Sequence, residues 1–196
     1  MPKAIHKTME TFTHIKTVLG IILGLSITHS LKGVVKIIEH PDRLKPYTTH
    51  LLWAFYMFLS TVYFWWFEVH LTEIKHWDFL KYLFLVIYVI TYYTLAALLF
   101  PEDMRDYKDY KTYFLSRKKW FYSILAVLFL FDAVDTYLKG PSYHTEMLKV
   151  YPIREFIHIV ACLNAARTNN KWVHLITVSA FIIFQCYWIL NYYMNG

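Results

Sequence analysis

Two cysteines in 196 residues are too few for a disulfide scaffold or a multi-cysteine zinc or iron–sulfur site. Five glycines and six prolines exclude a collagen-like or low-complexity chain. Charge is scarce as well. Asp, Glu, Lys and Arg make up 17% of the residues, against about 25% in a soluble domain. No GxGxxG, Walker A, GxSxG or HExxH run occurs, so the dinucleotide, phosphate-loop, nucleophile-elbow and zinc-protease signatures are all missing. The sequence therefore names no catalytic residue, no metal site and no cofactor.

Apolar side chains are abundant at 57%, and aromatic rings alone reach 20%. This balance reads as an integral membrane protein in one domain, its first partner the lipid bilayer. The net charge of +6 fits positive cytoplasmic loops rather than nucleic-acid binding. Crossing a hydrocarbon core of ~30 Å takes roughly 20 helical residues, and backbone groups in lipid must pair within the segment. Six apolar runs meet that need, at 13–37, 49–67, 79–100, 120–138, 152–166 and 172–193. The expectation is an all-α, six-span polytopic bundle. The fifth run is short and carries Arg154, Glu155, His158 and Asn164, so it reads as a shielded span or a re-entrant segment. The apolar stretch near the N-terminus lacks a small-x-small cleavage site, which reads as a retained helix.

Six crossings place both termini on one side, called side A. Of the twenty Lys and Arg residues, twelve fall in the side-B loops, so the positive-inside rule puts side B in the cytoplasm. Trp53, Trp65, Trp66, Trp77, Trp120 and Trp172 lie near span ends, where indole suits the headgroup region. The loop 101–119 alternates acid and base at spacings that pair on a helix. It reads as an amphipathic helix on side B, with a protein-docking surface as the alternative.

Ionisable groups within membrane helices are costly, at least ~2.5 kcal/mol each near the centre, and mark candidate sites. The first span carries Gly20 and Gly24 as a GxxxG pair, read as packing inside the monomer rather than a dimer seam. Its second half aligns Ser26, His29, Gly33 and Lys36 on one face, with Lys32 beside them. Asp132 and Asp135 share a face of the fourth span, and Arg154, Glu155 and His158 open the fifth. Glu155-x-x-His158 has di-iron spacing, but one such pair does not make a di-iron site. Topology gathers Glu68, His70, Asp132, Asp135, Arg154, Glu155 and His158 toward side A. Two accounts stay open: a wet vestibule, or an ion-pair network such as Arg154 with Asp132 or Asp135.

The runs LGIILGLSITHSLKG (19–33), HLLWAFYMFLSTVYFWW (50–66) and LAALLFPEDMRDY (95–107) resemble small multi-helix bacterial membrane proteins of no assigned activity. The resemblance implies a bacterial inner membrane and carries no site residue across. The leading functional expectation is a homo-oligomer that conducts or binds a small ion or solute. A sensory subunit signalling through loop 101–119 is the second, and a membrane redox or metal enzyme the third.

Overall fold

A computed structural model describes residues 2–74, 77–139 and 151–195. Among them the chain is all α. The helices are α1 (Pro2–Glu39), α2 (Thr48–Phe67), α3 (Phe79–Leu99), α4 (Tyr110–Leu138), α5 (Tyr151–Arg167) and α6 (Lys171–Asn195), with a short 3-10 helix (Glu68–Glu73) after α2. Four segments are long and apolar enough to cross a membrane: Phe12–Glu39, Phe79–Leu99, Tyr110–Leu138 and Lys171–Asn191. The other two helices differ in kind. α2 has 20 residues but owes its bulk to Trp and Tyr, which are amphipathic, and α5 has only 17.

Cross-helix pairs fix the directions. His14 meets Tyr82, His29 meets Tyr93 and Gly33 backs onto Phe100, so α1 and α3 run in parallel. Lys16 lies over the ring of Trp65, so α2 runs back along α1. Arg154 pairs with Asp132 and Lys118 reaches Thr168, so α5 runs antiparallel to α4 over most of its length. α5 is thus one continuous helix packed along α4.

Three readings from sequence need correction. Trp53 is no interfacial anchor: it is fully buried, and its indole N–H donates to Tyr122 at 3.2 Å. Trp66, Trp120 and Trp172 do face outward. Loop 101–119 holds no separate amphipathic helix. Asp109 caps α4 by accepting from the Thr112 N–H at 2.7 Å, and Tyr110, Tyr113 and Phe114 are buried, so residues 110–119 are the first turns of α4 itself. Ahead of that cap, Arg105 pairs with Asp103 two residues away, a turn contact rather than a helical one. The GxxxG reading also shifts. Gly20 does pack inside the chain, where a side chain would meet the Trp65 ring at 2.9 Å, but Gly24 faces open space, and the second close approach is at Gly33 against the Phe100 ring.

Where α3 ends before Pro101, its last carbonyls lose their intrahelical partners. Three side chains from three other helices meet them. Tyr113 Oη donates to Leu98 at 2.8 Å, His50 Nε2 to Leu99 at 2.7 Å and His29 Nε2 to Phe100 at 2.7 Å. This knot ties α1, α2 and α4 to the side-B end of α3.

Candidate functional site

The opposite end of the bundle is built from charge. Asp132 and Asp135 lie one turn apart on α4, and Lys139 follows Asp135 by another turn. The 3-10 turn after α2 delivers Glu68, and the first turn of α5 delivers Arg154 and Glu155. Lys139 Nζ bridges Asp135 at 2.5 Å and Glu68 at 3.0 Å. Arg154 bridges Asp132 at 2.6 Å and Glu155, while Tyr88 Oη donates to the other Asp132 oxygen at 2.9 Å. Among the described residues, two cationic side chains thus serve four carboxyl groups. Glu68, Asp135 and Glu155 are all within 3% of full burial, and each keeps one carboxylate oxygen with no hydrogen-bond partner.

A cavity of about 50 Å³ opens beside this cluster. Asp132, Asp135, Lys139 and Arg154 contribute to its charged side, and Tyr56, Phe64, Tyr92 and Trp188 to its ring wall. Ser60 lines it too, 7% exposed, its hydroxyl reaching Tyr56 without a well-formed hydrogen bond. His158 lines it with its Nδ1 turned to the Arg154 carbonyl of its own helix at 2.7 Å. The buried Phe181 ring packs at 4.4 Å on His158, 5.7 Å on Phe129, 5.7 Å on Tyr56 and 5.5 Å on Trp53.

Burial pushes the Glu68 carboxyl up to about 8, against the pull of Lys139. One ammonium between two buried acids leaves a negative charge that the interior does not solvate, and a proton relieves it.

The structure brings six of the nine expected residues together: Glu68, Asp132, Asp135, Arg154, Glu155 and His158. It sets three apart. His29 is at the α3 knot on the far side, and Lys32 is exposed beside it. His70 stacks on Phe67 at the turn and does not line the cavity. Sequence reasoning passed over Lys139, although its i+4 spacing from Asp135 was a signal. It also passed over His50 and His174, single residues in apolar runs with no local pattern to flag them. His174 is fully buried, with Nδ1 2.9 Å from the Tyr122 hydroxyl.

Among the described residues, no three His, Cys, Asp or Glu side chains converge as a metal ion needs. No protein-family model, no curated protein and no solved structure matches the chain. Its long apolar helices make it compatible with a membrane protein, and the reading beyond that rests on the cavity.

Proposed function

We propose that this chain crosses the membrane six times, in a bacterial inner membrane with side B cytoplasmic, and binds a small ion or solute in the side-A cavity. The carrying observation is the cavity itself, walled by four buried or half-buried charged side chains from two helices. Evolution toward stability alone favours replacing such charges by well-packed apolar residues. Two outward stripes support six crossings. α2 exposes Phe55, Val62 and Trp66, and α5 exposes Ile153, Phe156, Ile157 and Val160, surfaces that water penalises and lipid accepts.

Binding fits better than conduction. Beyond His158 the buried Phe181 ring packs on Phe129, Tyr56 and Trp53, and the far side of the bundle holds Lys118, a buried cation held by the Thr168 carbonyl at 2.5 Å and by Asn169. A cation leaving the acidic end would meet these rings and then a positive charge. Purified chain in liposomes is expected to bind a tracer saturably while passing no measurable flux. Steady flux in the unmodified protein would replace the holding reading with conduction. Epitope tags at the two termini are expected on one face of the membrane, and tags on opposite faces would remove the six-crossing topology.

A further inference from the structure

We propose that the cavity takes a primary ammonium group, with little more than its first carbon inside, between Asp135 and Ser60 and against the ring wall. This rests on the reading of the cavity as a binding site and names the ligand class.

The bundle already contains one example of the recognition. The Lys139 ammonium is held by two carboxylates and lies 6.0 Å over the Phe64 ring. An ammonium is donor-only, so it suits a wall of acceptors and ring faces. Beside Lys139 the same chemistry stands unused. Asp135 is 2% exposed, and its second oxygen has no partner. Ser60 is 7% exposed, and its hydroxyl reaches Tyr56 without a well-formed hydrogen bond. Both residues line the cavity, and so does Phe64.

Competing classes fit less well. An anion would meet Lys139 and Arg154 only where carboxylates already hold them. A divalent metal wants several converging carboxylate or imidazole ligands, and the described residues offer no such group. Size sets the upper bound. At roughly 10–15 Å³ for one water, 50 Å³ admits a few water-sized units and disfavours a bulky quaternary head.

A primary ammonium reaches a membrane site as a free amine or as an ethanolamine lipid headgroup. The test uses the full chain in nanodiscs of phosphatidylglycerol, titrated by calorimetry with methylammonium, potassium, tetramethylammonium, calcium, acetate and urea at matched ionic strength. Methylammonium is expected to saturate, with potassium and tetramethylammonium at least tenfold weaker. Ser60→Ala leaves every ion pair in place and is expected to weaken methylammonium about tenfold, the size of a lost hydrogen bond to a charged group. Asp135→Asn is expected to abolish binding, and should that variant not fold, Ser60→Ala decides the placement alone. If another probe saturates and methylammonium does not, the ligand class is wrong and the binding reading survives. If none of the six saturates, the binding reading falls with it. Unchanged affinity in Ser60→Ala overturns the placement. In discs of phosphatidylethanolamine, suppressed methylammonium binding supports the ammonium site and identifies the headgroup as its source. Equal affinity in both lipids supports the site with the free amine as source.

Discussion

The two ends of this bundle solve the same problem in opposite ways. At side B the loose carbonyls of α3 are met one to one by side-chain donors: Tyr113, His50 and His29. At side A, among the described residues, two cations are spread over four carboxyl groups, and three buried oxygens are left over. A buried polar group without a partner costs about 1–3 kcal/mol, so a fold selected only for stability would not keep three. The side-B knot reads as architecture and the side-A cluster as capacity for something else to bind.

The largest effect that sharpens this contrast comes from Lys139→Met. It leaves Glu68 and Asp135 facing each other in the interior, and breaking such a buried pair costs about 3–5 kcal/mol. Adding Glu68→Gln and Asp135→Asn to the same chain removes the stranded charges, and most of the loss is expected to return. Unfolding midpoints in mixed detergent measure both. If Lys139→Met alone were neutral, the cluster would not be carrying its charges in the buried state described here.

The pH dependence follows next, and its sign runs against the usual acid case. Glu68 faces Lys139 and Asp135 at bonding or near-bonding range, with Asp132 beyond, and burial raises its pKa from 4.5 to about 8. The folded chain therefore holds a proton that the unfolded chain releases. The Glu68 contribution to stability is fullest below about pH 4.5 and declines as pH rises toward 8. Glu68→Gln is expected to flatten that decline. Stability that rises across the window in the unmodified protein would contradict the buried, proton-sharing pair. A cation entering the cavity would take over part of the proton's role, so ligand should also reduce the slope.

Much of this arrangement was legible before any coordinates. Apolar run lengths place the six helices, and alternating direction brings Asp132, Arg154 and Glu155 to one end. That depth argument offered Arg154 a partner in Asp132 or Asp135, and the structure pairs it with Asp132. Other features were not legible, for physical reasons. Helical periodicity gives a residue's face but not its neighbour, so the stripe of Ser26, His29 and Gly33 looked like a cavity wall and is the seam against α3. The Glu68–Lys139 pair spans 71 positions, and no local pattern encodes such a contact. The start of α4 was a different kind of miss. Its signal, an Asp three residues before Thr112, was local and readable, but the surrounding charges suggested a separate surface helix.

Gly33 and Gly24 test the seam directly, on a smaller scale. Gly33→Ala forces a methyl into the Phe100 ring, whose backbone is pinned by His29, and overpacking of this kind costs about 1–3 kcal/mol. Gly24→Ala meets nothing within 4 Å and is expected to be neutral or to stabilise by about 0.5–1 kcal/mol through helix propensity. If Gly24→Ala proved the costlier, and cross-linked dimers disappeared with it, the open Gly24 face would be a seam between two copies.

The smallest effect belongs to the side-B cap of α4. Asp109→Ala removes the acceptor for the Thr112 N–H and is expected to cost about 1 kcal/mol, while Asp109→Asn keeps an oxygen in place and loses less. The Thr112 N–H holds the Asp109 carboxyl below its ordinary 3.8, so the cap's charge contribution is present at neutral pH and is lost as pH falls below about 4. Hydrogen exchange reads this locally. Faster exchange at the Thr112 amide is expected in Asp109→Ala, with the α5 amides unaffected. Side B then shows an acid-limited weakness at one exposed helix start, whereas the side-A weakness appears on the alkaline flank. Two pH limbs of opposite sign, removed separately by Asp109→Asn and Glu68→Gln, would establish that the ends of the bundle are stabilised independently. A single limb abolished by either variant would mean that one cooperative network runs the length of the molecule.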